Sequence, residues 1–130
     1  MHLWLKDNLP LTTVTIGYQG ASIDISDVLV DTGSGATVIS VDFSSRIGIV
    51  PCGNDTLCTI RGVGGSEVVF VRRVDFLRVG EKSVADFEIE VGGMDYGFAI
   101  NGILGMDFLI AAGTVINLHE MKIEFPVLCT

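Results

Sequence analysis

Charge is scarce in this sequence, and positive charge scarcest. Only 18% of the 130 residues are charged, and 8 Lys and Arg face 16 Asp and Glu, a formal net charge of −8. Nucleic acid and anionic membrane surfaces attract basic footprints, so neither is expected as a main partner. Long apolar runs are missing as well. None approaches the roughly 18 residues that span a bilayer as a helix, which argues against a transmembrane protein. Cysteine is rare and odd in number: Cys52 and Cys58 flank Gly-Asn-Asp-Thr-Leu, and Cys129 is penultimate. The opening MHLWLKDNLP has one Lys, no sustained apolar core and an early acid, so it does not read as a signal peptide. Free thiols are the first expectation and a Cys52–Cys58 disulfide the second. His2 and His119 lie far from the cysteine pair, so no metal is expected. Read as complete, the chain is cytoplasmic; a domain cut from a longer protein is the other reading.

What the chain does have is apolar side chains. Hydrophobic residues make up 48%, and the mean hydropathy is +0.55. The length fits one domain spanning residues 1–130. So little charge on so much apolar surface means either a large core or a face buried against a partner.

The patterning is mainly β. LTTVTIGY sets Thr12, Val14, Ile16 and Tyr18 on one face, and QGAS turns the chain into SIDISDVLV. Val28-Leu29-Val30 is apolar on both faces, as a central strand is. Ser40 is placed to cap a short helix that Gly48 ends. IVPCGNDTLC reads as a loop, CTIRGVGGSEVVF as a long hairpin with a glycine-rich tip, and FLRVGEKSVADFEIEV as a second hairpin turning at Gly80-Glu81-Lys82. In its second arm Ala85, Phe87, Ile89 and Val91 are expected inward and Asp86, Glu88 and Glu90 outward. MDFLIAAG suits a helix with Asp107 in its first turn and Gly113 past its end. A last hairpin turns at His119-Glu120, with Met121, Ile123 and Phe125 sharing a face. VLVDTGSGATVIS and FAINGILGMDFLI echo one another as apolar strand, Gly-bearing turn and short helix.

The chemistry centres on DVLVDTGSGATVIS, residues 27–40. An apolar strand delivers Asp31 into a turn of small residues, and an acid there is costly unless paired, hydrogen-bonded or used. Asp-Thr-Gly-Ser is by itself an ordinary turn sequence. The apolar flanks distinguish it, since they set the acid at the floor of a cleft or at an interface.

With three features in order, the chain resembles the retropepsin-type aspartic peptidases, the single-lobed relatives of the two-lobed pepsins. They are VLVDTGSGATVIS, IRGVGGSE and NGILGMDFL, and the resemblance spans about residues 11–125. It implies an all-β, single-lobed acid-protease fold, a closed barrel-like sandwich with one or two short helices. It implies an aspartic endopeptidase with no cofactor, acting on a peptide or protein substrate. Such enzymes use two carboxylates that share a proton. With one Asp-Thr-Gly in the chain, the second Asp31 would come from a homodimer mate on a two-fold axis.

The same resemblance assigns the remaining roles. Thr32 would bond across the dimer axis, Gly33 would let the substrate backbone approach, and Ser34 would donate to the carboxylate. Arg61, Gly62, Val63, Gly64 and Gly65 would form a flap over the substrate. Val38, Val63, Ile103 and Leu104 would line apolar pockets. Two departures stand out: no Tyr lies near the flap tip, and Gly35 and Ala36 stand where viral members often carry an acid. Asp107 is the rival second carboxylate, against its plainer role at a helix N-terminus, and Asp95 reads as a turn residue. Trp4 packs on the core or serves the dimer. Arg72, Arg73 and Arg78 read as solvated, or as paired with Glu88 and Glu90. A non-catalytic dimerisation or peptide-binding module is the alternative from another class. A phosphate loop is the weakest reading, lacking the P-loop Lys and glycine spacing.

Overall fold

Two-residue turns with left-handed backbone set the strand order. A computed structural model describes residues 1–53, 55–62, 65–94 and 99–126, and their side chains apart from 58–62 and 65–68. Asp7 and Asn8, at φ 53° and 63°, fold β1 (Trp4–Lys6) back onto β2 (Leu9–Tyr18). Gln19 and Gly20, at φ 50° and 85°, do the same between β2 and β3 (Ala21–Val30). These are the twisted turns that suit hairpins, and Asn and Asp tolerate them because their short side chains bond locally. Asp7-Asn8 was thus a readable hairpin signal in a stretch that apolar patterning alone leaves unassigned.

β4 (Val38–Ser40) leads into α1 (Val41–Ser44) and one 3₁₀ turn. The Ser40 hydroxyl accepts from the Asp42 N–H at 3.2 Å, and Gly48 ends the segment at φ 87°, as expected. β5 (Leu57–Gly62) and β6 (Gly65–Val79) form the long hairpin, with Gly62 opposite Gly65. Val63 and Gly64, at its tip, lie outside the described residues. β7 (Lys82–Gly92) returns antiparallel to β6 through Gly80-Glu81. β8 (Gly102–Leu104), α2 (Met106–Ala111), β9 (Val115–Asn117) and β10 (Lys122–Glu124) complete the chain.

The main sheet runs β1-β2-β3-β8-β4-β7-β6-β5, and β2 also pairs with β6. That extra pairing closes a ring through β2, β3, β8, β4, β7 and β6. The fold is all-β, single-lobed and closed on itself, with short helices, as expected. Val28 and Val30 enter the larger core with Val14, Ile16, Ile39, Ile89 and Phe108. Leu29, between them, enters a second cluster with Leu11, Val38 and Val69. The central strand is therefore buried on both faces, as its unbroken apolar run required.

Three placements differ from expectation. In β7, Phe87, Ile89 and Val91 are buried, but Ala85 is exposed. The strand is irregular at Asp86, whose φ is 51°, and this resets the alternation beyond it. Glu90 is half-buried rather than solvated. Arg73 does reach Glu88, at 3.7 Å with both side chains exposed, whereas Arg72 turns to Asp55.

The last hairpin forms a separate two-stranded sheet, joined by the N-terminal residues. Leu3 N–H donates to Met121 O at 2.8 Å, and Ile123 N–H to Met1 O at 2.7 Å. Met121, Ile123 and Phe125 pack on the larger core together, as their spacing indicated. Trp4 remains partly exposed, its indole N–H 3.3 Å from Asp27 Oδ1. Cys52 is exposed and a free thiol; Cys58's side chain, Cys129 and Asp95 lie outside the described residues. Among the described residues no helix is long and apolar enough to cross a membrane.

Candidate active site

Asp31 sits one residue past the end of β3. β3 and β8 run parallel, with Val30 opposite Leu104. The Asp31 N–H extends this ladder by donating to Leu104 O at 3.0 Å. The backbone of the acid is thus held by the centre of the sheet. Its carbonyl accepts from the Ser34 N–H at 3.2 Å, which closes a tight turn. Its Oδ1 accepts from the Gly33 N–H at 2.8 Å. A backbone amide is a fixed donor, so the carboxylate is aimed by the loop itself. The acid is half-buried, while Thr32, Gly33 and Gly35 are exposed. A Cβ on Gly33 would lie only 3.1 Å from Asp31 Oδ1, crowding the carboxylate from the open side.

Ser34 departs from expectation. Its hydroxyl donates to Ala36 O at 2.7 Å, so it braces the turn and does not serve Asp31. The donor to the carboxylate is the Gly33 amide.

The loop is pinned from behind by the segment that echoes it. Met106 N–H donates to Ser34 O at 2.8 Å. Asp107 holds Thr37 twice, accepting from its N–H at 3.1 Å and its hydroxyl at 2.7 Å. Asp107 Oδ1 also accepts from the Phe108 N–H at 2.7 Å, within the first turn of α2. Thr37 Oγ1 in turn accepts from the Gly105 N–H at 3.1 Å. This network is compact because Gly105 has no side chain: a Cβ there would stand 2.3 Å from Ala36 O. With its carboxylate occupied by three donors, Asp107 is an anchor for the loop. Thr37, fully buried and bonded on both sides, was not singled out from sequence; a Thr amid apolar residues directly after a catalytic-type turn was the available signal.

Residues 12–108 match a family model described as Aspartyl protease. The chain belongs to the retropepsin-like aspartyl proteases. The matched region runs from β2 into α2 and so contains the Asp31 loop, the β5–β6 hairpin and the Gly105–Asp107 anchor. No curated protein sequence matches the chain significantly.

Within this aspartyl protease, Arg61, Gly62 and Gly65 lie on the β5–β6 hairpin. The proposed pocket residues separate. Leu104 is 0% and Val38 2% exposed, both packed in the core, so neither offers a surface to a ligand. Ile103 alone of the three is partly open. The open apolar groove beside the loop has other walls: Thr32, Met106, Leu109, Ile110 and Ile116. Ile110 is 70% exposed there.

A second cluster stands at the base of the β5–β6 hairpin. Arg72 Nη2 meets Asp55 Oδ2 at 2.8 Å and Val50 O at 2.8 Å, and Nη1 meets the Tyr18 hydroxyl at 3.2 Å. The Cys52 N–H, donating to Asp55 at 2.7 Å, and then Arg72 hold the Asp55 carboxyl below its usual 3.8. Glu90 has the opposite character: burial first, then the charges of Asp107 and Glu88, raise its carboxyl above 4.5. Among the described residues no group of three or more His, Cys, Asp or Glu side chains could hold a metal ion.

Proposed function

We propose that this protein is an aspartic endopeptidase active as a homodimer. The observation that carries the reading is the presentation of Asp31: half-buried, aimed by the Gly33 amide, open above and rigidly held below. A structural turn acid needs none of that clearance. The chain has a single Asp-Thr-Gly, and Asp107, the rival second carboxylate, is saturated by Thr37 and Phe108. The second carboxyl is therefore the mate's Asp31.

Two such carboxyls about 3 Å apart cannot both ionise comfortably, so they hold one proton between them. The ionised Asp31 takes a proton from a water, which attacks the scissile carbonyl. The protonated one donates to the carbonyl oxygen, and the amide nitrogen is protonated as the C–N bond breaks. The β5–β6 hairpin closes over an extended peptide and excludes bulk water. The exposed apolar side chains of Ile110, Val115 and Leu118 support a buried face in the assembly.

The test is cleavage of a peptide library by wild type and by Asp31→Asn across acid to neutral pH. Cleavage by the wild type and none by the variant is the expected result. Equal cleavage by both, or none by the wild type at any pH in a dimeric sample, sinks the reading.

A further inference from the structure

The acid least explained by this mechanism is Glu90. Its Oε2 is buried with no hydrogen-bond partner among the described residues. A carboxylate so placed would strand a desolvated charge. Its own backbone N–H donates to Thr37 O at 2.9 Å, so the residue is attached to the Thr37 that Asp107 grips. Glu90 thus sits directly behind the lock that holds the Asp31 loop.

We infer that Glu90 is a positioning residue that couples the catalytic loop to pH: neutral, it leaves the Thr37–Asp107 lock closed, and ionised, it loosens it. The charged groups acting on it are Asp107 from α2 and Glu88 from its own strand, both negative. β4, beside it, carries no charged residue. On β6, Arg72 is committed to Asp55, and Arg73 to Glu88 and to Asp86 O. Asp42, on the α1 helix that also packs against β7, is exposed. Among the described residues no cation pairs with Glu90. Its negative charge would therefore act on Asp107, whose carboxylate accepts both Thr37 bonds. The raised carboxyl value agrees with this sign. A group raised on folding contributes stability below its unfolded value of 4.5, and that contribution is lost as pH rises through the raised folded value.

Only the link to activity rests on the protease reading; the lock itself can be measured without it. Side-chain carboxyl NMR on the wild type should find Glu90 titrating above 4.5. Over the same pH interval the protection factor of the Thr37 amide, corrected for intrinsic exchange, should fall several-fold. In Glu90→Gln, which keeps the shape and removes the charge, that fall should vanish. The alkaline decline of kcat/KM should shift upward while KM changes little. A Glu90 that titrates at or below its ordinary value, or Thr37 protection independent of pH in the wild type, overturns the inference even if the variant fails to fold. A flat protection profile also overturns it when peptide cleavage is intact. Absent cleavage beside a pH-dependent lock refutes the protease reading alone.

Discussion

At the scale of single residues, Asp107 and Gly105 carry more than their positions suggest. Asp107 collects three donors, two of them from a residue 70 positions earlier in the chain. Asp107→Ala leaves the Thr37 amide and hydroxyl without their acceptor, and should cost about 2–4 kcal/mol in denaturant unfolding. Gly105→Ala forces a methyl to within 2.3 Å of Ala36 O, where only backbone can yield. A loss of about 2–4 kcal/mol is expected, with chemical-shift changes concentrated on residues 31–37. Asp31 itself was legible in the sequence, because an acid after Val28-Leu29-Val30 violates patterning in a way that demands a use. Ser34 was only half legible. Its hydroxyl can reach either its neighbour's carboxylate or a carbonyl two residues on, and local backbone geometry decided for Ala36. Val38 and Leu104 fell on the wrong side for a related reason: strands apolar on both faces give no clue to which face is open.

At the scale of elements, hairpins read well and their irregularities did not. The φ-positive turns at Gln19-Gly20 and Gly80 carry explicit residue signals. The irregularity at Asp86 carries none, and it left Ala85 exposed. The β5–β6 hairpin was visible from its glycines, but its footing was not. Arg72 ties the 50–56 loop to β6 through Asp55 and Val50, and Val71 N–H adds a bond to Thr56 O at 2.9 Å. Such a long-range pair leaves no trace in local periodicity. Arg72→Met should lower the thermal midpoint and expose the 50–56 loop to limited proteolysis, while the core amides stay protected. By carboxyl NMR, Asp55 should move only part of the way back toward 3.8, since the Cys52 N–H bond survives.

At the scale of the whole molecule, two half-buried acids pull stability in opposite directions. Asp55 is lowered on folding, so its contribution is present above 3.8 and is lost as pH falls through its folded value. Glu90 is raised, so its contribution is lost as pH climbs past 4.5. The net charge of −8 at neutral pH adds self-repulsion in the same direction as Glu90. The thermal midpoint should therefore peak in the mildly acid range, between these limits or a little above them, and decline toward neutrality. A midpoint that rises steadily from pH 5 to 7 would contradict this balance. Association should show the same preference, because a negative chain repels its copy less as it gains protons. Sedimentation at two pH values checks that.

The pairing of β3 with β8 also constrains when the molecule can work. Asp31 depends on Leu104, Ser34 on Met106, and Thr37 on Asp107. During synthesis, the long-range contacts that anchor the loop are missing until the chain beyond Asn101 has emerged, long after the loop itself has been made. Non-local pairing of this kind also slows folding, since loop closure precedes its reward. A loop anchored by Leu104, Met106 and Asp107 is left without its footing in a nascent chain that stops short of them.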